Sequence, residues 1–320
     1  MRLLNLPRWL VALVIVLAIG LTAALFSRLP TSNEISGTLV LNIPGQWTAP
    51  SGEAMSGFVS YTPSSKQTYQ VALPEVARGL APLALSPSGG DLLATRTAFL
   101  ENGRDSRLVR FSFPNASEET IAPLSAGASN FTNAAWSPDE KFIAYGTVQW
   151  NNVASTSETS AYVLDRTTQK TFPIGSGVPL LFSPDSKTLL LLEGKDKFVF
   201  YVPAPGTSTD GGAAAPTIGP YVGVRVSADG AYLALFSQGD APHAYHVDWL
   251  AHTVSGLGTV GSASNGENVV LGRSGEALVA GSDGVAFYKS SDSSFIKAGK
   301  AAMFELPAGT TFAGWYGFEK

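Results

Sequence analysis

Leu83–Ala94 reads LALSPSGGDLLA, Ala134–Ala144 reads AAWSPDEKFIA, Leu180–Leu190 reads LLFSPDSKTLL and Val224–Ala234 reads VRVSADGAYLA. A fifth, eroded copy, VVLGRSGEALVA, spans Val269–Ala280. The equivalent positions Ser86, Ser137, Ser183, Ser227 and Gly272 lie 51, 46, 44 and 45 residues apart. So regular an interval marks an internal repeat. In each copy an apolar run enters a turn and a second apolar run leaves it. Proline presets φ for the turn, and Ser or Asp can bond back to the local backbone. The pattern predicts a β-hairpin, with Ser86, Pro87, Ser137, Pro138, Asp139, Ser183, Pro184, Asp185, Ser227, Asp229 and Gly230 as structural turn residues.

Two further strands follow each hairpin. After the second copy they are Ser160–Leu164 and Lys170–Ile174, and after the fourth Ala244–Asp248 and Thr253–Leu257. After the fifth they are Val285–Tyr288 and Ser294–Ile296. Four strands per unit of about 45 residues is the arithmetic of a propeller blade.

The Ser-Pro-Asp turn between two apolar strands, followed by a strand such as Ala161-Tyr162-Val163-Leu164-Asp165, resembles the TolB-type, WD-like β-propeller repeat over residues 56–320. Only Asp229-Gly230 keeps the full turn; Asp139-Glu140 and Asp185-Ser186 lack the glycine, and the fifth copy lacks Ser-Pro. The resemblance implies an all-β fold and names no function.

Five copies carry the motif. The remaining strands are Gly57–Tyr61 and Thr68–Leu73 near the start and Thr311–Tyr316 at the end, with Ser36–Ile43 able to supply a fourth. They predict a sixth blade shared by both ends of the chain, which removes the exposed sheet edges of an open ring. The expected fold is a six-bladed propeller of four-stranded antiparallel blades over 36–320, with seven blades as the alternative. Pro203–Pro216 reads as a flexible loop within the third blade.

Trp9–Phe26 is eighteen residues without a charge, close to the ~20 that a helix needs to cross a bilayer. Arg2 and Arg8 precede it, so the N-terminus is expected in the cytoplasm and the propeller outside. The domain reading is therefore 1–29 signal anchor and transmembrane helix, 30–35 short tether, then propeller. Cleavage near Ala24, giving a secreted protein, is the alternative.

Composition narrows the chemistry. There is no cysteine, hence no disulfide, thiolate nucleophile or cysteine-bound metal. A net charge of -4 without a basic stripe argues against nucleic acid. No HExxH, GxSxG, P-loop or GxGxxG occurs, so no cofactor, metal or catalytic residue is assigned. Of the three histidines, His243 and His246 would point to opposite faces of one strand, leaving His252 alone. The repeat carboxylates Asp139, Asp185 and Asp229 are expected to tie their own turns. Glu193, Asp196, Asp240 and Asp283 fall in connecting loops. The Asn115 and Asn130 glycosylation triplets read as coincidence.

Candidate contact residues follow from blade geometry. Loops entering the innermost strands should ring the central channel at the end opposite the repeat turns. They offer Asn130, Phe131, Asn133, Tyr221, Asn265 and Asn268, with Trp150 and Asn151 rising on the same face. Aromatics beside amides are typical contact residues. The function expected is a membrane-anchored, extracytoplasmic protein-binding or scaffold module, such as an accessory subunit of an envelope complex. A propeller enzyme of lactonase, glycosidase or lyase type, or a sensor of an extracellular small ligand or glycan, is the alternative.

Overall fold

The chain was analysed as a computed structural model that describes residues 35–317, apart from 101–102, 125–126, 152–155, 195, 204–206, 215–220, 238–240, 262–267, 282–283, 292–293, 301–305 and 308. The Trp9–Phe26 segment lies outside the described residues. Among the described residues no helix is long and apolar enough to cross a membrane.

Three strands come first: β1 (Thr38–Thr48), β2 (Ala54–Thr62) and β3 (Gln67–Ala72). Blade 1 is β4 (Leu80–Leu85), β5 (Asp91–Leu100), β6 (Gly103–Ser112) and β7 (Ser117–Pro123). Blade 2 is β8 (Asn130–Trp136), β9 (Phe142–Asn151), β10 (Thr156–Asp165) and β11 (Lys170–Gly175). Blade 3 is β12 (Val178–Phe182), β13 (Leu189–Glu193), β14 (Lys197–Val202) and β15 (Thr207–Ala214). Blade 4 is β16 (Tyr221–Val226), β17 (Tyr232–Ser237), β18 (His243–Asp248) and β19 (Thr253–Thr259). Blade 5 is β20 (Val269–Leu271), β21 (Glu276–Gly281), β22 (Gly284–Ser291) and β23 (Ser294–Lys300). The last strand, β24 (Thr311–Tyr316), pairs with β1 to give the order β24-β1-β2-β3, so both ends of the chain build blade 6. The fold is a six-bladed antiparallel β-propeller.

One expectation is corrected. Pro203–Pro216 is not all loop: Thr207–Ala214 forms the outer strand β15, with Val202 opposite Thr207 and Val199 opposite Asp210. An outermost strand needs only one ladder of main-chain bonds, so Thr, Ser and Gly suffice there without packing side chains.

The apolar core is divided among the blade interfaces. Six buried clusters fill the six junctions, from Phe58, Leu92 and Phe111 between blades 6 and 1 to Leu41, Leu278 and Phe287 between blades 5 and 6. A middle strand is therefore buried on both faces, which is why Leu189-Leu190-Leu191-Leu192 is apolar without alternation.

The repeat turn has one geometry in the first four copies, and the fifth is one residue shorter, with Gly272 N donating to Glu276 O at 2.8 Å. Ser137 N donates to Phe142 O at 3.0 Å, the Ser137 hydroxyl accepts from Phe142 N at 2.9 Å, and Glu140 N closes the turn onto Ser137 O at 2.8 Å. The fourth turn position has positive φ in every copy: Gly89, Glu140, Ser186, Gly230 and Gly275. Glycine is the favoured residue there. Glu140 and Ser186 stand in its place because their side chains reach across to the preceding blade. Ser88 N donates to Glu140 Oε1 at 2.9 Å, and Asp139 N donates to Ser186 Oγ at 3.1 Å. Ser274 N likewise donates to Asp229 Oδ2 at 2.9 Å. The turns thus link blade to blade.

The eroded fifth copy has a steric cause. A Cβ on Gly272 would come within 2.8 Å of the Trp315 indole, and one on Gly89 within 2.1 Å of the Tyr316 ring. The closing strand thus clamps a glycine on each flanking blade, while Trp315 Nε1 donates to Ser36 O at 2.7 Å. Restoring the repeat consensus with Gly272→Ser should therefore destabilise the ring, by about 1–3 kcal/mol through overpacking, read as a lowered denaturant midpoint. Glu140→Ala, which keeps the strained φ but removes the clasp, should cost about 0.5–1.5 kcal/mol, and Glu140→Gly should cost less than that.

Candidate functional site

The inner strands β4, β8, β12, β16, β20 and β24 surround the axis. They carry an axial cavity of ≈ 110 Å³ that opens at the turn end of the ring. Leu83, Leu85, Trp136, Phe182, Val226 and Tyr316 contribute to its apolar wall. Pro87, Pro138 and Ala228 stand exposed at the mouth. Four of these wall residues, Leu85, Trp136, Phe182 and Val226, immediately precede the repeat serine, so the repeat register itself places them beside the turns. The ring is drawn in elsewhere: β16 comes within 8 Å (Cα–Cα) of β4 on the opposite blade.

Arg225 is the one charged residue lining the cavity among the described residues. Its guanidinium carbon lies 5.3 Å from the Phe236 ring centroid, and Nη1 donates to Val224 O at 3.1 Å. Cation–π contact of this kind helps hold a charge away from bulk water.

The repeat carboxylates are engaged within their turns. Ser137 Oγ donates to Asp139 Oδ1 at 2.7 Å, Ser183 Oγ to Asp185 Oδ1 at 2.6 Å, and Ser227 Oγ to Asp229 Oδ1 at 2.5 Å. The same oxygens accept from Lys141 N, Lys187 N and Ala231 N. At Asp139 burial opposes the charged form, but bonds from Ser137 and Lys141 outweigh it and hold the carboxyl below its usual range. The Ser183 hydroxyl, with Lys187 N, does the same at Asp185. Asp139, Asp185 and Asp229 are turn ties, as the repeat implied.

The contact residues expected from sequence do not assemble into one site. Asn130 is exposed and accepts from Phe131 N at 3.0 Å. Phe131 is buried, edge-to-face with Tyr145 at 6.3 Å. Asn133 is 2% exposed and donates to Pro179 O at 2.6 Å, tying blade 2 to blade 3. A register shift in β8 between Phe131 and Ala134 sends the two side chains to opposite interfaces, Phe131 toward blade 1 and Asn133 toward blade 3, and only Asn133 borders the cavity. Trp150 is 47% exposed near the end of β9. Asn151 ends β9 and Tyr221 begins β16. Asn268 is half-buried just before β20, and Asn265 lies outside the described residues.

His246 packs on Tyr232 and His252 stacks on Phe200 at 5.0 Å. Glu193 pairs with Lys197 at 3.8 Å, Asp196 is exposed, and Asp240 and Asp283 lie outside the described residues. Among the described residues no group of three or more His, Asp or Glu is placed to hold a metal ion.

The sequence reading looked to the far end of the ring and so passed over Arg225. A signal was present: the residue two before the repeat serine, or before Gly272 in the fifth copy, is Ala84, Ala135, Leu181 and Val270 in four copies and Arg225 in the fourth blade.

No family model matches the chain, and no curated protein matches it. Among solved structures the chain is similar to an oligogalacturonate lyase in complex with manganese, at 12% identity and TM-score 0.49 over 85% of this chain and 81% of that one. It is similar to a Bacteroides fragilis protein provisionally assigned as a 6-phosphogluconolactonase, at 12% identity and TM-score 0.48 over 88% and 99%. It is also similar to the tricorn protease, at 13% identity and TM-score 0.43 over 75% and 27%. These are likenesses of fold alone.

The turn carboxylates give a pH dependence with a defined sign. The folded pKa values of Asp139 and Asp185 are depressed, so their stabilisation is complete above the unfolded value of about 3.9 and is lost as pH falls through the lower folded value. The thermal midpoint should drop as pH falls from about 5 toward 3, and the Asp139→Asn, Asp185→Asn double variant should show a shallower drop over that window.

Proposed function

We propose that this propeller is a binding module, which takes a protein partner on its turn-end face and seats one apolar anchor side chain of that partner in the axial cavity. The observation that carries the reading is the chemistry of the axis. An apolar wall of Leu83, Leu85, Trp136, Val226 and Tyr316 opens between exposed prolines, while the nearby repeat carboxylates are engaged in their turns. A cavity of ~150 Å³ with such a lining accepts a benzene-sized group, so the space here suits a single aliphatic or small aromatic side chain. Central apolar anchors of this kind dominate the energetics of protein interfaces.

The reading extends to location. Trp9–Phe26 holds the protein at a membrane, with the ring outside the cytoplasm and Pro30–Glu34 as tether. The module then serves as an accessory subunit of an envelope complex.

Purification of the full chain in mild detergent, beside an Ala228→Trp variant that plugs the mouth from an exposed position, tests the proposal. A stoichiometric partner should accompany the parent chain and be lost from the variant at an unchanged thermal midpoint. A bare protein at every salt concentration, equal recovery with the variant, or turnover of lactones, glycosides or uronates would overturn it.

A further inference from the structure

In three blades the third strand outruns the fourth at the end opposite the repeat turns. On blade 6, β2 begins at Ala54, but its pairing with β3 starts only at Phe58, opposite Ala72. On blade 1, β6 begins at Gly103 and meets β7 only from Arg107. On blade 2, β10 begins at Thr156 and meets β11 only from Ala161, opposite Gly175. In blades 3, 4 and 5 the fourth strand accompanies the third to within two residues of its start. Each overhang has an outer side without a neighbouring strand, and unpaired main-chain N–H and C=O groups there invite an added chain.

Two of the overhangs are closed. The Gln70 carboxamide stands in for the missing strand beside β2, accepting from Ser56 N at 3.3 Å and donating to Ser56 O at 2.5 Å. Beside β6, Leu124 N carries the ladder one step further, onto Ser106 O at 3.0 Å. Arg104 and Asp105 put charge along what remains, and charge on an edge discourages strand addition. The third overhang, Thr156–Ser160, has neither device. Among the described residues no strand pairs with its outer edge. The connection to blade 3 meets it at a hydroxyl, Gly177 N donating to Thr159 Oγ1 at 3.0 Å. The overhang contains no Lys, Arg or Pro. Its register with β9 runs unbroken from Thr156–Asn151 to Asp165–Phe142, so no bulge turns the edge away. Thr156, Ser157, Glu158 and Ser160 are all exposed.

The hydrogen bonds of β9 show which groups are on offer. Trp150 N donates to Ser129 Oγ at 3.1 Å and Val148 O accepts from Ser129 N at 2.7 Å, so both residues turn their main chain away from β10. Their opposites, Ser157 and Thr159, therefore direct N–H and C=O to the free side. Five residues at ~3.3 Å each give an edge of roughly 16 Å, room for one short strand. Glu158 stands at its centre and belongs to no ion pair among the described residues. A basic residue directly opposite Glu158 is therefore favoured in an added strand. The residue opposite Ser157 shares a face with Trp150, which is 47% exposed, so an apolar or aromatic side chain there extends the same cross-strand row. A second copy of this chain is a poor occupant. Two-fold pairing about the centre of the edge sets Glu158 against its own equivalent, and like charges directly opposite destabilise a ladder.

We infer that the Thr156–Ser160 edge of β10 is a strand-addition site for an extended segment of a partner protein, one with a basic residue flanked by apolar ones. It lies at the opposite end of the ring from the mouth of the axial cavity and is independent of any anchor seated there. The probe is the blocked, fluorescein-labelled peptide Thr-Thr-Phe-Lys-Phe-Thr-Thr, which reads the same in either strand direction, beside its counterpart with glutamate in place of lysine. Fluorescence anisotropy with the full chain in detergent measures binding. The lysine peptide should bind, and the glutamate peptide should bind at least tenfold more weakly. Glu158→Lys should reverse that preference. Ser157→Pro, which removes a main-chain donor from the edge, should weaken the lysine peptide at least tenfold at an unchanged thermal midpoint. No binding of the lysine peptide at millimolar concentration, equal binding of the two peptides, or a preference untouched by Glu158→Lys would overturn the assignment. Dimerisation of the parent chain that Ser157→Pro abolishes would give the edge to a second copy and overturn it as well.

Discussion

A four-stranded blade has two apolar faces and can cover neither by itself. Each face in this ring is covered only by the next blade, through clusters such as Leu93, Leu108, Ile143 and Tyr145 between blades 1 and 2. The closing pairing of β24 with β1 therefore decides the whole, because without it blades 5 and 1 would each present an uncovered face. Trp315 belongs both to the ladder that closes the ring, opposite Leu39, and to the packing against blade 5. Burial of each large apolar side chain at such a junction contributes about 1.5–3 kcal/mol, so a junction of nine or more buried residues outweighs any single turn bond.

The same constraint accounts for the wear in the repeat. Several departures from Ser-Pro-Asp-Gly meet a neighbour. Glu140 and Ser186 replace glycine where a side chain can clasp the preceding turn, whereas Gly272 replaces serine where the Trp315 indole needs its space. The retained Gly89 lies against the Tyr316 ring. A repeat that closes on itself is thus least regular where its two ends meet, since those turns must accommodate the closing strand as well as their own hairpin.

Much of the fold could be read from residues because the repeat is local. The Ser-Pro-Asp turn, its flanking apolar runs and the interval between copies all lie within one stretch of chain, and the orphan strands Gly57–Tyr61 and Thr311–Tyr316 demanded a shared blade. Strand β15 was not legible, because an outermost strand such as Thr207–Ala214 needs no apolar pattern. The axial cavity was not legible either. It forms where inner strands from several blades converge, and no stretch of sequence records that convergence. Phe131 and Asn133 were expected at the channel mouth, yet they lie in β8, where a register shift sends them into the two opposite blade interfaces. Arg225 broke the pattern of its own repeat position and was open to detection by column-wise comparison of the copies.

The ladder between Thr38–Asn42 and Thr311–Tyr316 joins β1 to β24. The Ser36–Trp315 bond spans 279 residues of chain. At ~5–20 residues per second of translation, roughly 15–55 s separate the emergence of its two partners. During that interval the seam is unsealed, and β1 waits as an unpaired sheet edge of the kind that recruits other chains. Biogenesis of this protein therefore includes a vulnerable period set by the ribosome, in which a holding factor or fast export would protect the nascent chain.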